Sequence, residues 1–361
     1  MLTRRLWFLS TASVYALLVA ISWSLDQGQA HAASAFRSFN EPGQKSPSRR
    51  KAGSGGKRVP YRKISRTADG YALDYGFKNF NGDSLDFQAE LDSESVAASI
   101  REFGFKKSDF DKLDAWYKKA QKDAVASANA RFVSGKVQAK NAAELKSKLS
   151  FIKGINAGIQ KELDGKLASL SKQYRKRRLK VYEDSGFRYK DSKTVEVDIP
   201  AMVSRNWKRV RPVAHAFAKL ARAHGYDQEE LVGAATAWVQ TAIIYEVPAD
   251  NEGSRTVAGI MPPLKTLILG QGDCDTKTAL LASVLLNWPK IKMVGLGIPG
   301  HYLMAYQRPP RRGDIYLEYK GLPFVMIESA GPAWLNPGDV GASTKNYLKS
   351  GKNFRIQPMG A

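Results

Sequence analysis

The chain has 361 residues, of which 43% are hydrophobic, and its formal net charge is +22 at pH 7. This hydrophobic content excludes a chain that is disordered throughout, and the length is typical of two or three domains. The one cysteine, Cys274, excludes an internal disulfide bond. With only four histidines, scattered along the sequence, the chain also lacks the ligand spacing of a zinc site.

Residues 1–32 have the pattern of a secretory signal peptide. Two arginines precede an apolar run from Leu6 to Trp23, and Ala30, His31 and Ala32 form a small-residue cleavage site. An uncleaved membrane anchor is the alternative, because the apolar run approaches the length of a membrane span. Both interpretations predict an exported protein, periplasmic or membrane-anchored. Residues 33–66 are rich in Pro, Gly, Ser, Lys and Arg and are predicted to form a flexible basic linker.

The next two segments predict a small β element and a helical hairpin. Residues 67–107 alternate aromatic and polar side chains around Asn81-Gly82, a hairpin signal. Residues 108–186 have helical periodicity, and a capping box from Asn141 to Glu144 marks the start of the second helix. Its apolar residues predict one narrow stripe of an antiparallel coiled coil. The stripe comprises Leu145, Leu149, Ile152, Ile155, Ile159, Leu163, Leu167, Leu170 and Tyr174.

A candidate catalytic set follows in residues 187–345. Cys274 lies in GDCDTK at the predicted N-terminus of an apolar helix, where the helix dipole favours a thiolate. His301 opens a predicted strand, HYLMAY, and Glu328 closes another, FVMIE. This order suits a thiol nucleophile, its base and an orienting carboxylate. Residues 346–361 are predicted to be a C-terminal tail.

These motifs resemble the transglutaminase-like superfamily of papain-related cysteine peptidases and transglutaminases. The resemblance covers roughly residues 200 to 340 and lies in G-D-C-D-x-K, in G-H-Y and in the following acid, where the family more often has aspartate. It implies an α+β fold, in which a papain-type core packs the cysteine helix on an antiparallel sheet carrying the histidine and the acid. The helical hairpin and the small β element would precede this core.

The resemblance implies an acyl-transfer enzyme with Cys274, His301 and Glu328 as its triad. Cys274 would attack an amide or peptide carbonyl, and water or an amine would resolve the thioester, with hydrolysis favoured. Gln271 is a candidate oxyanion-hole donor. No cofactor is expected. Asp273 and Asp275 are expected to cap the helix or to pair with a base such as Lys277. The alternative is that they bind calcium, because related adhesin-clipping proteases bind calcium through acids beside the cysteine.

The positive charge leaves a second function class open. The basic run QYRKRRLK in the helical hairpin is either a solvated face or a surface for an anionic envelope polymer or membrane. Nucleic acid is not expected, because the aromatic motifs of RNA-binding modules are missing. The alternative to an enzyme acting on a protein or peptide is therefore a catalytically silent envelope scaffold that binds partners through this hairpin.

Overall fold

The structure is a computed structural model that describes residues 2–5, 59–191, 193–350 and 354–360. These residues form two compact units. The smaller comprises residues 2–5, Lys106–Asp184 and the described part of Arg188–Val195, and the larger comprises the other described residues. Residues 6–58, with most of the predicted signal peptide and linker, lie outside the described residues. Within the described ranges, no helix combines the length and hydropathy needed to cross a membrane.

Helices and strands are both abundant, so the described chain is of mixed α and β class. The helices are α1 (Ser93–Arg101), α2 (Ser108–Asn129), α3 (Ala142–Asp184), α4 (Ile199–Asn206), α5 (Arg211–His224), α6 (Gln228–Ala242), α7 (Pro263–Leu269), α8 (Cys274–Leu285) and α9 (Ala342–Ser350). The strands of the first half are β1 (Leu2–Arg5), β2 (Tyr61–Arg66), β3 (Gly70–Lys78), β4 (Ser84–Asp92), β5 (Phe105–Lys106), β6 (Lys136–Ala139), β7 (Phe187–Tyr189) and β8 (Val195–Val197). The later strands are β9 (Ile244–Tyr245), β10 (Asn251–Glu252), β11 (Arg255–Thr256), β12 (Gln271–Gly272), β13 (Met293–Ile298), β14 (His301–Gln307), β15 (Tyr316–Tyr319), β16 (Leu322–Ile327) and β17 (Arg355–Met359).

The smaller unit is built on α2 and α3, which pack antiparallel. Asn141 caps α3 as the capping box predicts, with its side-chain oxygen 2.9 Å from the backbone nitrogen of Glu144. An aliphatic core between the helices lies near the middle of α3, and the buried pairs Tyr117–Tyr174 and Phe110–Tyr182 continue the packing toward the C-terminal end of α3. The aliphatic part comprises Ala124, Val125 and Ala128 of α2 with Ile159 and Leu163 of α3.

The predicted stripe along α3 is wrong at Ile155. Ile155 is 37% exposed, whereas the polar Asn156 beside it is buried. The Asn156 amide exchanges hydrogen bonds with the backbone N–H and C=O of Val133, which ends the apolar seam. A paired amide is stable in a buried position that an apolar side chain would otherwise fill.

The small β element of the larger unit is an antiparallel meander in the order β2-β3-β4. Its hairpin turn contains Asn81-Gly82, as the sequence predicts, with Gly82 at a φ of +95°. The meander begins at Tyr61, so the predicted linker is wrong for its last residues. Aromatic side chains at its centre, Tyr75 and Phe87, contact Trp238 and thereby fix α6 against the sheet.

The core of the larger unit is α8 on a five-stranded antiparallel sheet. The strand order is β15-β16-β14-β13-β17, and α8 packs against β14 and against α4, α5, α6 and α7. Sequence periodicity predicts one apolar face for α8, but from Thr276 to Leu285 every side chain is buried. A helix that is buried on all sides, as α8 is from Thr276 onward, lies at the centre of its domain.

The predicted C-terminal tail is wrong as a separate segment. β17 pairs with β13 as the edge strand of the sheet, with Gln357 opposite Gly295. Tyr347 and Leu348 of α9 and Ile356 of β17 pack on the hydrophobic core of the same sheet. The folded core therefore extends to Met359.

Candidate active site

Cys274 is the first residue of α8, as the sequence predicts. Its side chain is almost fully buried, and the carboxylate of Asp273, the N-cap, accepts a hydrogen bond from Thr276 N–H at 3.3 Å. Gly272 makes this tight entry to the helix sterically feasible. A Cβ at Gly272 would lie 2.4 Å from Thr276 Cγ2, closer than any real contact.

His301 and Glu328 form a hydrogen-bonded pair. His301 opens β14, Glu328 directly follows β16, and the antiparallel pairing of these strands carries the chain after Ile327 back toward His301. His301 Nε2 lies 2.8 Å from Glu328 Oε2. The other carboxylate oxygen accepts the backbone N–H of Ala330 at 3.0 Å. Both oxygens of Glu328 are thus oriented by partners.

The environment of His301 favours the imidazolium. Burial by itself lowers the pKa of His301, but the hydrogen bond and negative charge of Glu328, helped by the charge of Asp273, raise this pKa above its ordinary value. His301 is therefore a stronger base than a free imidazole. Because Nε2 is engaged by Glu328, Nδ1 remains as the nitrogen that could accept a proton from a thiol.

The Cys274 thiol lies beside the start of the same strand. Burial raises the pKa of Cys274, and the charges of Asp275 and Asp273 raise it further, while a hydrogen bond from the backbone of Tyr302 acts in the opposite direction. The expected thiolate is therefore not the resting form, since burial outweighs the helix dipole. Within the described residues, no hydrogen bond joins the Cys274 sulfur to the His301 ring.

Thr278 connects the elements that carry the three candidate residues. Its hydroxyl donates to the backbone oxygen of Cys274 at 2.7 Å and lies 3.3 Å from the backbone oxygen of Tyr302 on β14. The same hydroxyl is hydrogen-bonded to Ser329, which follows Glu328. All these polar groups are buried, so Thr278 holds the cysteine helix in one position relative to the histidine and acid strands.

Gln240 of α6 anchors the backbone at Glu328. Its buried amide nitrogen donates to the backbone oxygen of Glu328 at 2.6 Å and to that of Leu335 at 3.0 Å, and its oxygen accepts the Leu335 N–H. The segment that follows the candidate acid is thereby held to a helix at the centre of the unit. Side-chain hydrogen bonds of this kind keep an orienting carboxylate in place.

Tyr245 and Gln271 lie on two short paired strands that precede the cysteine helix. β9 and β12 pair in parallel, with Gln271 opposite Ile244 and Gly272 opposite Tyr245. Paired side chains share a face of a sheet, so Gln271 lies on the same face as Ile244, and Gln271 itself is half-buried. Burial raises the pKa of Tyr245, and the nearby charge of Cys274 is the next cause.

Asp273 and Asp275 lie close enough to the thiol to form a candidate cation site with it. One carboxylate oxygen of each and the Cys274 sulfur lie within 4.8 Å of one another. Both carboxylates, however, accept the backbone N–H of Thr276, and burial together with the charge and hydrogen bond of Asp273 raises the pKa of Asp275. Both carboxylates are thus occupied by hydrogen bonds within the protein, and we assign no metal to them. The calcium interpretation stays a prediction.

Sequence reasoning missed Gln240, Tyr245 and Thr278, and it considered Lys277 only as a partner of the acids beside the cysteine. Lys277 and Thr278 carried a usable signal, because polar residues three and four positions after Cys274 interrupt an otherwise apolar helix and share a face with the cysteine. Gln240 and Tyr245 reach the site only through tertiary packing and gave no local signal.

Comparisons with protein-family models, curated proteins and solved structures find no match to this chain.

Proposed function

We propose that this protein is a cysteine enzyme of transglutaminase-like type that forms a thioester on Cys274. The observation that carries the proposal is the partly buried His301–Glu328 hydrogen bond of 2.8 Å. His301 begins the strand whose second residue, Tyr302, donates a backbone hydrogen bond to Cys274. A cysteine at a helix N-terminus packed on an antiparallel sheet with a histidine and an acid is also the arrangement of a papain-type core.

The proposed reaction begins with the neutral thiol. The Cys274 sulfur attacks the carbonyl carbon of an amide while its proton passes to Nδ1 of His301, and Glu328 stabilises the resulting imidazolium. As the tetrahedral intermediate collapses, His301 gives this proton to the departing amine and the thioester remains. A water molecule then attacks the thioester, losing a proton to His301, and the carboxylic acid leaves as the thiol is restored.

Donors for the developing oxyanion lie near the cysteine. The backbone N–H of Cys274 at the helix start is one, and the phenol of Tyr245 is a second, because Tyr245 is paired with Gly272 two positions before the cysteine. Gln271, three positions before the cysteine, stays the predicted side-chain donor. Hydrolysis of a protein or peptide in an exported compartment remains the favoured outcome, with transfer to an amine as the variant.

Alkylation kinetics test this proposal. We expect the rate at which iodoacetamide alkylates Cys274 to rise with pH as His301 loses its proton, and then to level off. The reactive form is the pair of Cys274 and His301 that has lost one proton. His301→Ala should lower the rate at pH 7 at least tenfold and delay its rise to above pH 9. Cys274→Ser is the blank for labelling elsewhere. A wild-type rate unchanged by His301→Ala would overturn the proposal.

Exposed cations on α3 favour a second candidate function, a scaffold that binds an anionic envelope surface. Lys172, Arg175, Lys176, Arg177 and Lys180 are all exposed within nine positions. We expect the protein to co-sediment with vesicles that contain anionic phosphatidylglycerol and not with vesicles of phosphatidylcholine. Salt at 0.5 M should release the protein, because the Debye length is then about 4 Å and the charges are screened. Charge reversal at Arg175 and Lys176 should weaken binding without changing Cys274 alkylation. Equal binding to both vesicle types would contradict this function.

A further inference from the structure

Lys277 is a charged side chain with an unusual position for its type. It is completely buried on α8, one turn after Cys274. Among the described residues, its ammonium nitrogen has no hydrogen-bond partner. Lysine is almost never fully buried unless it is paired, because removing an ammonium from water is costly. A buried polar group of this kind requires an explanation beyond packing.

The surroundings of Lys277 are the candidate active site. Side chains on a helix lean toward its N-terminus, so Lys277 extends back toward the turn that holds Cys274. Burial lowers the pKa of Lys277 to about 7, and the charges of Glu328 and Asp273 oppose this shift. The ring of Tyr245 faces the ammonium at 6.0 Å from its centroid. A Cβ added at Gly331 would lie 3.1 Å from the ammonium nitrogen, so the loop after Glu328 closes the space around it.

The charges around the thiol explain what a cation would do there. Asp273, Asp275 and Glu328 all oppose a negative charge on Cys274. The proposed reaction nevertheless requires the sulfur to become anionic as its proton leaves. Among the cationic side chains of the described part of the chain, Lys277 is the one that is fully buried beside two of these acids. Its ammonium offsets their charge without forming a hydrogen bond that would withdraw Glu328 from His301.

We propose that Lys277 is a positioning residue of the active site, a buried counter-cation that offsets Glu328 and Asp273 so that the Cys274 sulfur can carry negative charge during acyl transfer. This inference rests on the proposed function of Cys274 and His301. It assigns Lys277 no contact with substrate and no covalent step.

The role predicts that reactivity and stability change in opposite directions. Lys277→Met keeps the length and volume of the side chain and removes its charge. The rate of Cys274 alkylation at pH 6.5, below the Lys277 pKa of about 7, should fall about tenfold, while the midpoint of thermal unfolding at the same pH should rise by roughly 5 °C because a desolvated ammonium is gone. Lys277→Arg retains the charge and should keep at least a third of the wild-type rate. Circular dichroism verifies that each variant is folded.

The alkylation rate and the unfolding midpoint together decide whether the inference holds. A lower rate with a higher unfolding midpoint in Lys277→Met, and retained rate in Lys277→Arg, supports the inference. A lower rate with a lower midpoint indicates a structural role and overturns it, as does an unchanged rate at any midpoint. Should Lys277→Arg be unfolded, Lys277→Gln must reproduce the loss seen with methionine. If the wild-type rate itself is insensitive to His301→Ala, the proposed function fails, and that result is distinct from the others.

Discussion

At the scale of single residues, Glu328 determines the properties of the candidate base. The carboxylate accepts hydrogen bonds from His301 Nε2 and from the Ala330 backbone, so it is oriented even though it stands where the resembling family more often has aspartate. Its charge opposes the burial of His301, which acting alone would lower the pKa of the imidazole. The basicity of His301 thus depends on one neighbouring side chain.

Glu328→Gln should lower the pKa of His301 below its ordinary value of about 6.5, because burial then acts without the opposing charge. NMR titration of the imidazole ring measures this shift, with Glu328→Asp as the variant that keeps the charge. The folded-state pKa of wild-type His301 is raised, so the stabilisation by the pair is complete below about pH 6.5 and is lost as pH rises through the folded value. An imidazole pKa that is the same in Glu328→Gln and wild type would show that Glu328 does not tune His301.

The candidate site could be predicted from the sequence where the chemistry is local. Cys274 and His301 stand in short motifs, and each begins the element that its motif indicates. The thiol pKa was predicted in the wrong direction, because the helix dipole is visible in a sequence whereas burial is not. Lys277 and Gln240 are recruited from positions whose environment depends on how α6, α8 and the loop after β16 pack together.

At the scale of elements, the entry to α8 depends on close packing of the turn before it. Gly272 approaches Thr276, a buried β-branched residue with little rotamer freedom. In contrast, Gly154 lies in the interior of α3 with open space around its Cα. Close packing therefore requires glycine at position 272, whereas no contact requires it at position 154.

Gly272→Ala should destabilise the larger unit by about 1–3 kcal/mol, because the added methyl group overlaps Thr276. Gly154→Ala is the matched control and should stabilise α3 by about 1 kcal/mol through helix propensity. Urea unfolding followed by circular dichroism measures both changes. Gly272→Ala with wild-type stability would mean that the turn relaxes freely and does not fix Cys274.

Elements with strong local signals were predictable, and those dependent on partners were not. The β3–β4 hairpin and the capped start of α3 follow turn and capping chemistry that is written within a few residues. The apolar seam of α3 failed at Asn156, because pairing with Val133 depends on a chain segment more than twenty positions away. The apolar periodicity of a helix alone does not predict such a pairing.

At the scale of the whole molecule, the sheet of the larger unit is completed by a strand that is distant in sequence from its partner. β17 lies at the end of the described chain yet pairs with β13, and the Tyr302 hydroxyl donates to Gln357 at 2.6 Å. Tyr302 is also the residue whose backbone bonds Cys274. The last described strand thus supports the site, a role that the polar composition of residues 346–361 does not indicate.

The central claim is that Cys274, His301 and Glu328 act as one unit, and a double-mutant cycle tests it most directly. Alkylation rates of Cys274 at pH 8 are compared in wild type, His301→Ala, Glu328→Gln and the double variant. If the favourable effect of Glu328 passes through His301, Glu328→Gln should slow the wild type severalfold and should not slow His301→Ala. Independent, multiplicative effects of the two substitutions would contradict the account.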